Sequence, residues 1–151
     1  MITFRVLGVP APQGSKTVVS HGGKAHAIEG GSQMGRVRLR SWRTAVAEVA
    51  RDTVESEQLP APLDGPLELT IRFRMPMPAS RPKRLRLVGR GWHSTKPDGS
   101  KLLRSTEDAL TDAGLIRDDA RICRFIVEKI EVIGWTGAMI SVGPIERMVP
   151  Q

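Results

Sequence analysis

Between Leu67 and Met75 the chain alternates without a break: Leu67, Leu69, Ile71, Phe73 and Met75 are apolar, while Glu68, Thr70, Arg72 and Arg74 between them are polar or charged. Successive side chains of a β-strand point to opposite faces, so the pattern predicts a strand with one face buried and the other open to water. Ile2 to Leu7 reads as an earlier strand ending at Gly-Val-Pro-Ala-Pro. Arg124 to Val132 and Ala138 to Val142 read as two later strands joined through Gly134 and Gly137. Two segments carry helical periodicity instead. From Arg36 to about Glu55, Leu39, Trp42, Val46, Val49 and Thr53/Val54 form an apolar stripe, and Arg38, Arg40, Arg43 and Arg51 point elsewhere, giving the helix a basic flank. From Ser100 to Ala113 the stripe is Leu102, Thr106, Ala109, Leu110 and Ala113, with Gly114 as the stop.

Gln13 to Gly35 has no apolar periodicity and is expected to be a long mobile loop or hairpin. Leu59 to Pro66 is a proline-rich connector, and Pro76 to Pro97 is expected to be a basic loop. The resulting order, β-α-β-α-β-β without an internal repeat, predicts an α+β fold: a mixed or antiparallel sheet with two main helices, in a single domain spanning 1–151. At 151 residues one core suffices, since a chain this size buries roughly 70% of its unfolded surface. The 40% apolar content excludes global disorder. The longest uncharged stretch, Val132 to Ile145, is 14 residues and interrupted by glycine and proline, so no membrane partner is expected. The single cysteine, Cys123, and an N-terminus without a signal pattern lead us to expect a cytoplasmic protein.

The charge pattern points to a polyanion. Twenty-three Lys and Arg against 16 Asp and Glu give +7, and clustered cations gain by releasing counterions from a phosphate backbone. Ser80 to Arg104 carries eight cations (Arg81, Lys83, Arg84, Arg86, Arg90, Lys96, Lys101, Arg104) against one acid, Asp98. Then the sign reverses, with Glu107, Asp108, Asp112, Asp118 and Asp119. A cationic track beside carboxylates suits a nuclease. A 14-residue helix rises about 21 Å, and the six residues from Gly114 to Asp119 can retrace about 20 Å when extended. Asp118 and Asp119 can therefore return beside the N-terminus of that helix, next to Asp98. Converging carboxylates would bind a hard, oxygen-preferring ion such as Mg²⁺.

The stretch Lys96-Pro97-Asp98-Gly99-Ser100, through Arg104 and Asp108-Ala109-Leu110, to Asp118-Asp119-Ala120-Arg121-Ile122 resembles the RusA-like crossover junction endodeoxyribonucleases, Holliday junction resolvases common in phages and prophages. Gly8 to Lys16 resembles that family's proline-rich segment after the first strand. The family pattern is Asp-x-Asp at a helix start, a lysine four residues on, an Asp-Ala-Leu turn and a later Asp-Asp-Ala-Gln. The resemblance implies that Asp98 and Asp119, with Asp118 adjoining, hold Mg²⁺, with Mn²⁺ the other candidate ion. Two positions depart from the pattern. The second carboxylate position is Ser100, a poor Mg²⁺ ligand, and the lysine position is Arg104, which keeps the charge but cannot release a proton. With one carboxylate fewer the site is expected to bind Mg²⁺ more weakly, giving a high metal requirement with Mn²⁺ preferred; the alternative is that a neighbouring acid, Asp118 or Glu107, already fills the gap.

Bland readings stand beside these. Asp98 and Ser100 are preferred helix N-caps. Asp118-Asp119 suits an ordinary turn, and Arg104 with Asp108 suits an i, i+4 surface pair. His21, His26 and His93 lack ligand spacing, and no phosphate-binding glycine motif is present, so neither a zinc site nor a nucleotide cofactor is expected. Trp42 is expected in the core, whereas Trp92 suits either stacking on an exposed base or partial burial. The expectation is a Mg²⁺-dependent, structure-selective endonuclease on branched DNA such as four-way junctions. Asp98, Asp119 and Arg104 would be catalytic, and Lys16, Lys24, Arg81, Lys83, Arg84, Lys96 and Lys101 would hold the DNA backbone. The resemblance also implies a homodimer, and chemistry agrees, since two symmetric nicks call for a two-fold protein. The alternatives are a non-catalytic DNA-binding protein of the same fold with a degraded metal site, and a basic structural protein on RNA.

Overall fold

The computed structural model describes residues 1–14, 16–29 and 31–146, with the side chains of 16–19, 21 and 26–29 excepted. Among the described residues, seven strands and three α-helices run in the order β1 (Ile2–Leu7), β2 (Lys16–His21), β3 (Lys24–Glu29), α1 (Gln33–Ser56), β4 (Leu67–Pro76), α2 (Lys83–Val88), β5 (Arg90–Trp92), α3 (Gly99–Asp112), β6 (Ile122–Val132) and β7 (Gly137–Pro144). A single 3₁₀ turn, Asp119–Arg121, precedes β6. The main sheet is ordered β1-β7-β4-β6-β5 and is mixed: β4 and β6 are parallel, and the other neighbours are antiparallel. Strands β2 and β3 form a separate antiparallel hairpin, one of the two forms expected for Gln13 to Gly35.

The expected α+β class, the mixed sheet and the two long helices are all present. The expected basic loop from Pro76 to Pro97 is corrected, because it contains α2 and β5. Helix α2 buries none of its residues, so it has no apolar stripe from which periodicity could be read. Strand β5 is three residues long and exists through its pairing with β6, where Trp92 opposes Ile130.

Strand β4 behaves as its alternation dictates. Leu67, Leu69, Ile71, Phe73 and Met75 are buried, and Arg72 opposite them is exposed. Register places Ile71 beside Ile140, which pairs in turn with Phe4, so the buried face runs across three strands. Helices α1 and α3 cover that face with Trp42, Val46, Ala50, Leu102, Ala109 and Leu110. The opposite face carries mostly polar pairs beside the exposed Ile126: Arg72 is paired with Glu128, Arg124 with Glu68, and the Thr3 and Ser141 hydroxyls share a hydrogen bond. Among the described residues no helix is long and apolar enough to cross a membrane.

Two glycines are dictated by geometry. Gly137 has φ 141° and would place a Cβ 1.9 Å from the Val6 carbonyl oxygen, so β1 and β7 can pair there only through glycine. Gly114, at φ 73°, closes α3: its N–H bonds the Thr111 carbonyl, and the N–H of Leu115 bonds that of Leu110. This is a Schellman ending, and it delivers the fully buried Leu115 into the core.

Trp42 joins α1, α3 and the main sheet. Its indole N–H donates to the Thr106 hydroxyl at 3.2 Å, tying α1 to α3, and its ring meets Phe73 of β4 at 6.5 Å between centroids. Trp42→Ala is expected to cost about 4 kcal/mol, the usual loss for truncating a buried aromatic. Urea unfolding measures it, and a loss below about 1 kcal/mol would contradict this role.

Candidate nucleic-acid interface and acidic site

The approach to α3 is held by side chains. Lys129 of β6 donates to the carbonyls of Thr95 and Pro97, both at 2.6 Å, and His93 Nε2–H donates to the Lys96 carbonyl between them at 3.0 Å. Three consecutive carbonyls just before Asp98 are thus fixed. His93 is 8% exposed, and its other ring nitrogen faces Glu131 Oε2 at 3.4 Å. Glu131, 1% exposed, is gripped at both oxygens by the Arg81 guanidinium, at 2.7 and 2.8 Å. The Arg81 hydrogen bonds hold the Glu131 carboxyl below the usual carboxylate range, against the opposing effect of burial, with His93 adding to the depression. Arg81 was expected on DNA; its guanidinium is bonded within the protein.

From the other side the proline-rich segment docks on α3. The Gln13 N–H donates to the Lys101 carbonyl at 3.1 Å, and the Ser105 hydroxyl donates to the Ala11 carbonyl at 2.7 Å. Between this segment, the start of α1 and the start of α3 lies a cavity of about 590 Å³ whose walls include Pro10, Pro12, Arg36, Lys96, Asp98 and Lys101. Asp98 stands at the N-cap position of α3, yet its carboxylate accepts no capping N–H. It remains exposed, with Lys101 Nζ 3.7 Å away. The position is a cap, but the carboxylate faces Lys101 and solvent instead of a capping N–H.

Asp118 does serve a turn. It caps the 3₁₀ segment by accepting from the Ala120 N–H at 2.8 Å. That bond, followed by the hydrogen bond with Asp119, lowers its pKa. Asp119 lies close enough to Glu107 of α3 to act on it electrostatically: burial first, then the charges of Asp119 and Asp108, push Glu107 up to about 7, with Arg104 acting in the opposite sense. The acidic pair therefore lies within electrostatic reach of Glu107 in the middle of α3, and among the described residues it forms no three-carboxylate group with Asp98, a correction to the convergence at the helix N-terminus that the length of the connection allowed. Arg104 is exposed and has no ion pair among the described residues, because Asp108 is paired with Arg43 at 3.7 Å instead. Ser100 is exposed in the first turn of α3.

Among the described residues no three His, Cys, Asp or Glu side chains are arranged to hold a metal ion. The Asp119–Glu107 pair still offers the donor chemistry a hard divalent ion takes, since Mg²⁺ binds through one or two carboxylates and completes its shell with water and phosphate oxygens. Of the remaining expected cations, Lys24, Lys83 and Arg84 are exposed, whereas the Lys16 side chain and the rings of His21 and His26 lie outside the described ones. Trp92 is 71% exposed at the sheet edge. Sequence reasoning missed the Lys129, Glu131 and His93 supports. Their signal was two charged residues two apart in β6, at positions whose neighbours in register, Phe73 and Met75, face the core.

The family model described as endodeoxyribonuclease RusA matches residues 8–142. No curated protein matches the chain.

The Glu131 clamp makes stability depend on acid. A carboxyl whose folded pKa lies below its unfolded value of about 4.3 stabilises fully above that value and loses its contribution as pH falls through the folded one. The native chain should lose stability below about pH 4.3, and Glu131→Gln should flatten that part of the profile while being less stable at neutral pH. Thermal melts from pH 7 to 3 measure both, and identical profiles would refute the clamp.

Proposed function

Because the chain belongs to the RusA endodeoxyribonuclease family, we propose that it is a metal-dependent, structure-selective endonuclease that cuts branched DNA, with four-way junctions as the preferred substrate. The family match over residues 8–142 carries this reading, and the local chemistry of α3 supports it. Asp119 and Glu107 are the residues that would hold Mg²⁺ or Mn²⁺ directly; Asp98 and Asp118, which form no three-carboxylate group with them among the described residues, would complete the acidic surroundings of the site. When bound, such an ion supplies Lewis-acid charge and an activated water. The chain's own contribution is positioning and charge. Lys96 and Lys101, which share the cavity wall with Asp98, draw a phosphate toward that carboxylate. Arg104 offsets negative charge developing on the phosphoryl oxygens but, being an arginine, does not donate a proton to the leaving oxygen. Lys24, Lys83 and Arg84 hold flanking backbone, and Arg81 acts through Glu131 to hold the loop.

A second reading rests on Ser100: a chain lacking that carboxylate could bind DNA of the same shape without cutting it. Glu107 favours the enzyme, since it brings a second carboxylate to Asp119 from the same helix. The protein is proposed to act as a homodimer, whose two-fold symmetry would match paired nicks across a junction.

Asp119→Asn should abolish Mg²⁺-dependent nicking of a synthetic four-way junction while leaving junction binding intact or tighter, because a negative charge near phosphate is removed. Glu107→Gln should shift the Mg²⁺ requirement to higher concentration. Native nicking curves for both variants would reject the site. Sedimentation at micromolar concentration should give a dimer; an active monomer would remove that part.

A further inference from the structure

The cations expected on DNA lie in the hairpin and between positions 81 and 104. Helix α1 builds another positive surface. Arg36, Arg40, Arg43, Ala47 and Arg51 are spaced by three and four residues, so at about 100° per residue they fall within a wedge of about 80°. Arg36, Arg40 and Arg51 are exposed. Arg43 is turned to α3, where Asp112 holds it at 2.6 Å and Asp108 at 3.7 Å. Together these arginines wall a groove of about 410 Å³ between α1 and α3, floored by Leu39 and Ala47.

The acids near this groove do not neutralise it. Asp108 and Asp112 are paired with Arg43, while Glu48, Asp52 and Glu55 of α1 lie outside the wedge. Among the described residues none is in an ion pair with Arg36, Arg40 or Arg51. The groove also has no large exposed apolar anchor of the kind that dominates protein interfaces. At its N-terminal end Arg36 and Leu39 belong to the wall of the second cavity as well, the one that holds Asp98, Lys96 and Lys101. The positive surface therefore continues to the carboxylate end of the site.

We propose that the Arg36–Arg51 face of α1 seats the sugar–phosphate backbone of a duplex DNA arm and leads that strand to the Asp98 cavity. That the seated strand is the one cut rests on the nuclease reading; the contact itself does not. The face is about 22 Å long, which spans about six nucleotides at 3.4 Å per strand step. Guanidinium forks bind pairs of phosphate oxygens irrespective of sequence. The surface would thus strengthen and orient binding without selecting bases.

The test uses Arg40→Ala/Arg51→Ala, two side chains outside the ion pairs and the acidic site, with binding to a four-way junction and to linear duplex measured without divalent metal. Each phosphate contact contributes about 0.9 to the slope of log K against log salt, so the double variant should lose about 1.8. Between 50 and 200 mM salt the gap to the native chain should then narrow about tenfold, with an unchanged melting temperature. Arg40→Lys/Arg51→Lys should restore most of the slope. A native slope in the alanine variant overturns the proposal, as does weaker binding with the slope intact. A chain that shows the arginine-dependent slope and never nicks a junction keeps this surface and removes the nuclease reading.

Discussion

The Glu131 carboxylate is almost wholly withdrawn from water, and what surrounds it sets the path from β4 to α3. A buried carboxylate is tolerated only with partners, and the partners come from the chain that must be positioned. Arg81 is reached from the segment after β4, and His93 from the residue after β5. His93 passes the constraint on to the Lys96 carbonyl, and Lys129 holds the carbonyls on either side. A 22-residue stretch rich in cations would otherwise gain little by ordering, since ordering each residue costs about 1–2 kcal/mol. These bonds place Asp98 at the start of α3 against a fixed strand.

Helix α3 separates charge along its length. Its first turn is cationic, with Lys101 near Asp98 and Lys96 just before it. Its middle carries Glu107 against Asp119, where burial and like charge raise the Glu107 carboxyl. Lys101 and Glu107 stand on a helix whose other face is locked into the core by Leu102, Thr106, Ala109 and Leu110. Neither can drift without moving the packing against Trp42 and β4. A site whose chemistry depends on closely placed oxygen donors benefits from such a support.

Some of this was legible in the residues. The alternation of Leu67 to Met75 specifies a half-buried strand whatever surrounds it, because the side-chain period of a strand is two. The stripes of α1 and α3, and Gly114 at the end of the second, are equally local signals. Helix α2 and strand β5 were not legible: one buries nothing and the other is held by a single neighbour. The arginines of α1 could be placed off its apolar stripe, but their union with Asp98 across two cavities could not.

For the candidate site the division is similar. Periodicity, composition and the order of charges along the chain determined that this is a cationic α+β protein with carboxylates in the segment that resembles the nuclease motif. Tertiary structure decided what each charge does. It turned Arg81 inward to Glu131, left the Asp98 carboxylate uncapped, gave Asp108 to Arg43 in place of Arg104, and set Glu107 against Asp119. The reason is physical: a periodicity is a property of neighbours in sequence, whereas the partner of a charge depends on which desolvated group lies within a few ångströms once the chain has closed on itself.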